Sequence, residues 1–404
     1  SQGIPYIGRK LGVAKVIEGA VFREGNKVRI SVKLIDAASD QHIWSETYER
    51  PYDDVMAIQA SVARTVARIV QAKLTDQDEE QLKRVLDIRP KTFESYLRAM
   101  FQYRKETQEG YQRGIEILED ALANDPTSAL AYAALAQGYM ELVHSVLPKM
   151  EAISRARAAI EKAIELDPTL AEAHMALGLH QLYGDWDISA AGVSLKRAME
   201  LNPSLADAWY HWAWWLELTG DDEEAIAAGE KTVELSPLHS FYIAWLADQY
   251  RDVGNYEKAI ELAESVIALS PGFPVAWLVL GGVYGEQGRF DEAIAAHEHL
   301  AGMPYWEYAL GQTYAWAGQP EKALEIAQGY EREPSKGIAL AIIYAALGDV
   351  DKTLYWSKHA RENRFPWALG LFSYFTATRS MLENPRIQTE AELYPVPLVP
   401  YPKD

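Results

Sequence analysis

At 404 residues the chain exceeds one ordinary core, so two or three domains or a repeat architecture are expected. Its 49% hydrophobic and 24% charged residues suit a folded chain rather than a disordered one, and the absence of cysteine removes disulfides, thiolate metal sites and thiol nucleophiles. The net charge of −19 is unevenly placed, because residues 1–74 hold 11 Lys+Arg against 8 Asp+Glu and the acidity lies in the rest, a surface that repels phosphate backbones and leaves no nucleic acid expected as a partner.

In chain order, Val16–Arg23, Lys27–Asp36 and His42–Arg50 alternate apolar and polar residues, with turn signals at Glu24-Gly25-Asn26 and Ala38-Ser39-Asp40. They predict a three-stranded antiparallel meander. In the second strand Val28, Ile30, Val32 and Leu34 share one face. Asp53 or Asp54 then caps a helix whose stripe Val55, Ile58, Val62, Val66, Ile69 is expected to cover the sheet. This small α+β domain takes residues 1–75, and a helical linker takes 76–91.

Over 92–366 a helix-closing proline returns at Pro126, Pro168, Pro203, Pro237, Pro271, Pro304 and Pro334, at spacings of 42, 35, 34, 34, 33 and 30. A period near 34 is the signature of tetratricopeptide repeat (TPR) helix pairs. Within the period come Leu246-Ala247, Tyr250, Gly254, Ala259 in one unit and Leu280-Gly281, Tyr284, Gly288, Ala293 in the next. Small residues let paired helices approach, and the glycine ends the first helix in a left-handed conformation. The fold expected is mostly α, a TPR α-solenoid of about seven helix pairs plus a capping helix, Trp367–Leu382, inside a closing segment 367–393. The tail 394–404 is proline-rich and favours an extended conformation. It reads either as a strap along the array or as a docking arm for self-assembly carried by Tyr394, Pro395, Pro397, Pro400 and Tyr401.

The phrase Leu11–Val21, with Val28-Arg29-Ile30, Leu34-Ile35-Asp36, Trp44-Ser45-Glu46 and Ile58-Gln59, resembles the bacterial TolB amino-terminal-like domain, which is commonly joined to TPR arrays. Pro168–His174 and Asn384-Pro385-Arg386 resemble that family's wording as well. The resemblance implies a regulatory or scaffolding region of the kind attached to winged-helix regulators and nucleotide cyclases. No such effector is expected within these 404 residues, and the strand and helix that open the family's domain before Leu11 are expected to be missing. That would leave one sheet edge open to a partner or a second copy.

No active site is legible. His174/His180 and His297/His299 lack the spacing of zinc hydrolases, so no metal and no cofactor are expected, and His174 and His297 fall at core positions. Asp221–Glu224 and Asp78–Glu80 sit at helix starts, where they complement the dipole. The chain therefore reads as a non-enzyme whose partner is a protein or peptide. No apolar run approaches the ~20 residues of a membrane span, so no direct insertion is expected, and the compartment is left open. TPR geometry places Tyr210, Trp214, Phe241, Asp248, Arg251, Tyr305, Tyr308 and Gln312 along the concave groove, aromatic at several points and acidic at others. The four tryptophans of Trp209–Trp215 predict an exposed aromatic patch. Besides a peptide groove, two readings stand: a self-assembling ring or filament, and a carbohydrate-binding module.

Overall fold

The computed structural model describes residues 3–105, 107–143, 149–303 and 305–398. It divides into two compact units, Ser1–Leu135 and Ala136–Asp404, with the boundary inside a helix.

The first unit opens with α1 (Ile4–Leu11), which Pro5 starts and the left-handed Gly12 closes. A short helix thus precedes the meander, an element not expected from the sequence. Strands β1 (Lys15–Glu24), β2 (Lys27–Asp36) and β3 (Gln41–Pro51) pair antiparallel in the order β1-β2-β3. Gly25, at φ 60°, takes the first corner of the β1–β2 turn. The Asp36 carboxylate accepts from the Ser39 amide and hydroxyl at 2.9 and 2.8 Å, which holds it below the usual carboxylate range and fixes the second turn. Val28, Val32 and Leu34 are buried, as the alternation predicts. Helix α2 (Val55–Ile69), entered through a 3₁₀ turn at Tyr52–Asp54, buries Ile58 of the expected stripe and half-buries Val55, Val62, Val66 and Ile69, with Met56, Ala60 and Ala67 buried as well. Edge strand β1 keeps Ile17, Val21 and Phe22 exposed at 53%, 71% and 62%. Helix α3 (Asp76–Asp87) begins with a reciprocal cap between Thr75 and Asp78. Tyr52 then donates to Glu94 of α4 (Pro90–Tyr103) at 2.5 Å, with Arg23 over the Tyr52 ring at 3.8 Å.

Helix pairs follow: α4 with α5 (Gln108–Asn124), then α6 (Ala129–Val143), which crosses the boundary, and α7 (Lys149–Leu166). The second unit continues as α8 (Ala171–Leu179) and α9 (Ile188–Leu201), α10 (Ala206–Thr219) and α11 (Asp222–Leu235), and α12 (Ser240–Asp252) and α13 (Tyr256–Leu269). Then come α14 (Pro274–Glu286) and α15 (Phe290–His297), α16 (Tyr308–Trp316) and α17 (Pro320–Tyr330), and α18 (Gly337–Ala346) and α19 (Val350–Glu362). This is a TPR-like solenoid, and its register is visible in the backbone. Left-handed residues end the first helices at Gly220, Gly254, Gly288, Gly318 and Gly348. Trp186 occupies the equivalent position 34 residues before Gly220, after a π-helical turn at His180–Asp185. Second helices start on side-chain caps such as Asp221, Asn255 and Asp349.

A repeated contact locks successive pairs. Trp209 and Trp277 donate their indole N–H to the carbonyls of Pro203 and Pro271 at 2.9 and 2.7 Å, and His174 Nε2 lies 2.9 Å from that of Pro168. His174 therefore ties a loop rather than filling the core. His297 is buried between Thr313 and the Leu278 carbonyl at 2.8 and 3.1 Å, as its position predicts. Trp212 and Trp215 stack at 4.7 Å against Met175 and Leu195.

The close approach of helices and the left-handed ends make separable predictions. At Gly254 (φ 76°) a Cβ meets nothing within 4 Å, whereas at Gly281 it would meet the His297 ring at 2.3 Å. Gly254→Ala is expected to cost about 1 kcal/mol of backbone strain and Gly281→Ala about 2–3 kcal/mol of overpacking. Denaturant titration of the two variants checks this, and the reverse order would contradict it.

Candidate functional site

The first helices of the second unit turn one row of side chains toward a common inner face, and the chain itself fills part of that face. After α19 the polypeptide does not form the expected capping helix over Trp367–Leu382. It makes a 3₁₀ turn at Pro366–Gly370 and the short helix α20 (Thr376–Arg379) before α21 (Pro385–Ala391). Pro366, Gly370 and the close packing of Leu369, Leu371 and Phe372, each 1% exposed or less, suit a compact plug better than a regular helix.

This segment meets the predicted groove residues. Trp367 lies edge-on to Trp214 at 5.3 Å and stacks on Trp245 at 5.7 Å. Tyr374 meets Trp214 at 5.2 Å and donates its hydroxyl to Asp248. Phe375 meets Tyr308 edge-on at 6.2 Å, and Thr376 donates to Glu286 at 3.0 Å. Trp214 and Asp248 are in consequence 5% and 1% exposed. The expected exposed tryptophan patch is absent for this reason: Trp212 and Trp215 pack between helices and Trp214 lies under the plug.

Beneath the plug sits an ion cluster. Arg251 lies 3.1 Å from Asp248, 3.1 Å from Asp252 and 4.0 Å from Glu286. Burial pushes the Asp248 carboxyl up, against the attraction of Arg251, to about 7, and Asp252 and Glu286 are raised by burial as well. Arg379 adds a second positive charge that Asp252 feels. Glu217 is raised well above the carboxylate range by burial and by the charge of Asp252, with only the Gln249 amide to ease it.

The other groove residues are dispersed. Tyr210 and Phe241 are half-buried with rings 5.1 Å apart, on a stretch of the inner face next to the plug. Gln312 is half-buried on α16. Tyr305, expected on a first helix, stands instead in the turn before α16, 51% exposed with Lys336 Nζ 4.6 Å from its ring centroid, because this pair's first helix starts only at Tyr308. In the tail Tyr394 is buried, stacking on Trp186 at 6.3 Å and donating to the Ser357 carbonyl at 2.7 Å, while Pro395 and Pro397 are exposed. That portion of the tail is a strap on the array. Pro400 and Tyr401 lie outside the described residues.

With this geometry in view, residues 250–301 match the sequence profile of the tetratricopeptide repeat. A curated relative, putative adenylate cyclase 3 of Rhizobium meliloti, is 28% identical over 183 residues, 44% of this chain. The match spans only 30% of that relative's length. Solved structures of similar fold include pilF of Pseudomonas aeruginosa, 19% identical with a TM-score of 0.41 over 52% of this chain and 93% of that one. The Cut9–Hcn1 tetramer of APC/C is 18% identical with a TM-score of 0.48, over 69% and 52% of the two chains. Yeast Tom70 is 14% identical with a TM-score of 0.43, over 75% and 67%.

The buried carboxylates set a pH dependence. A carboxyl held protonated more tightly in the folded than in the unfolded chain stabilises below the ordinary carboxylate pKa, and that contribution is lost as pH rises through the folded value. His211 and His297, lowered by burial to about 4, act in the opposite sense below their ordinary 6.5. Above pH 6.5 the raised carboxyls dominate among the described residues, and the melting temperature should fall as pH rises through about 7. Glu217→Gln should flatten that fall and stabilise at pH 8 by about 1 kcal/mol or more relative to pH 6.5. Thermal melts across the window check this; a pH-independent difference between the two chains would contradict it.

Proposed function

We propose that the chain is a non-catalytic protein-binding scaffold, the regulatory part of a bacterial signalling protein, which takes a polypeptide partner on the inner face of its second unit. The observation that carries this reading is that the face already holds polypeptide. Its row of aromatic and charged side chains accommodates residues 366–379 through ring stacking, a tyrosine hydroxyl and a threonine hydroxyl. A face with that chemistry suits a second segment of chain in the stretch left uncovered around Tyr210 and Phe241, where half-buried aromatic rings can anchor a partner. The signalling context draws support from the relative named a putative adenylate cyclase and from the resemblance of the first unit to the TolB amino-terminal-like domain.

A photo-crosslinking amino acid in place of Phe241, compared with one in place of the exposed Tyr355 on α19, tests the reading in cells of the source organism. Polypeptide adducts specific to position 241 are expected; none, or equal adducts at both positions, would contradict it. Assembly of copies through β1 is a second reading, favoured by the exposed Val21 and Phe22 on an edge strand. A monomer mass in light scattering at every concentration would rule it out.

A further inference from the structure

The inner face gives its enclosed carboxylates a positive partner in one half and only neutral donors in the other. In the plugged half, Asp248, Asp252 and Glu286 share the Arg251 guanidinium, receive hydroxyl donors from Tyr374 and Thr376, and have Arg379 nearby. Each of these donors except Arg251 is brought by the segment that lies in the groove.

In the other half Glu141 on α6 and Asp207 on α10 are half-buried and keep some surface open to solvent, and the half-buried Glu217, which also feels Asp252 of the cluster, stands between the two halves. They form a connected set. Glu141 and Asp207 feel each other's charge, and the buried Tyr183 feels both Glu141 and Glu217. The donors that reach the set are neutral: the Tyr242 hydroxyl bonds Asp207, and the Gln249 amide reaches Glu217. Among the described residues no Lys or Arg pairs with any of the three. Enclosed carboxylates with no counter-charge among the described residues are ionised at a cost in free energy, and burial together with the Asp207 charge pushes Glu141 up to about 7.

A second observation points into the same place. His211 stands one helical turn from Asp207 on α10 and is 7% exposed, and its Nδ1 has no hydrogen-bond partner among the described residues. Its ring feels the Asp207 charge. Beside it, the half-buried Tyr210 packs with the rings of His211, Phe241 and Tyr242, an aromatic wall of the kind against which a guanidinium stacks.

We infer that this open half of the inner face is a binding site for an arginine of the partner polypeptide, which supplies in trans the positive charge that Arg251 and Arg379 supply in the plugged half. A guanidinium fits because it offers five donors in a planar fork, enough to bridge two carboxylates while its face lies on a ring. A neutral or acidic segment would leave the carboxylates as they are or add to their repulsion.

The inference rests on the scaffold reading and is tested separately from it. Fluorescence anisotropy of fluorescein-labelled tetra-arginine is measured at about pH 8.5, above the value to which burial pushes Glu141, on the full chain and on two variants that each remove two negative charges. One carries Glu141→Gln and Asp207→Asn; the other carries Glu223→Gln and Glu264→Gln, both at exposed positions on second helices. Because the long-range field changes equally, the comparison isolates the site from general attraction by an acidic protein. The inner pair is expected to weaken binding about tenfold and the outer pair less than about twofold. Glu141→Gln alone removes charge at nearly constant volume, and it should weaken binding about threefold if the double variant does not fold. Equal weakening by both pairs, or no weakening by Glu141→Gln, overturns the site. Adducts at position 241 combined with equal weakening would keep the scaffold and remove only its arginine site; discriminating affinities without such adducts would do the reverse.

Discussion

The second unit depends on how its inner face is satisfied. Helices that turn Trp214, Trp245, Asp248, Asp252, Glu286 and Tyr308 toward one another bring together rings and like charges that water alone would have to cover. Residues 366–379 cover them instead, with Trp367 between two tryptophans, Tyr374 on Asp248 and Thr376 on Glu286. Arg251 is indispensable to that arrangement. Removing one member of a buried charge set strands the rest at a cost of about 3–5 kcal/mol, whereas the intact set adds little net stability over an apolar core. The cluster is better understood as fixing where the plug sits than as a source of stability.

The plug accounts for several departures from a regular repeat. The first helix of the α16/α17 pair is short and starts at Tyr308, placing its ring against Phe375. The π-helical turn before Trp186 puts that ring against Tyr394, so the strap following the plug is held at the first complete pair of the second unit. Trp186 adopts the left-handed conformation that glycine takes in the later repeats, a strain of about 1 kcal/mol set against the ring contact it makes possible. The left-handed helix ends after Gly288 recur at 30 residues rather than 34, in the same region where α20 packs.

Much of this was legible in the sequence, for reasons that are local. The TPR period, the glycines that close first helices, the caps at Asp221 and Asp78 and the alternation of β2 all follow from interactions within a few residues of one another. The inner-face register was legible too, which is why Trp214, Asp248, Arg251 and Tyr308 come together. Their occupant was not legible. The run from Trp367 to Phe372 is as apolar as a helix cap, and only the contacts of Tyr374 with Asp248, 126 residues away, distinguish a plug from a cap. Pro366 and Gly370 were the available signal, since both disfavour a long helix there. The first helix of the chain left a local signal in Pro5 at its start and Gly12 at its end, but at eight residues it is too short for a helical period to stand out. The set of Glu141, Asp207 and Glu217, which has no cationic partner among the described residues, was hidden for another reason: each residue looks like one more charge on an acidic array until the fold encloses them together.

The central claim is that the carboxyl-terminal segment is part of the inner face rather than a loose end. Amide hydrogen exchange read by mass spectrometry on the full chain tests it directly. The account predicts that peptides covering 366–379 exchange as slowly as those from α12 and α14, through opening of the whole second unit. Fast exchange of 366–379 alongside slow exchange of α12 and α14 would contradict it.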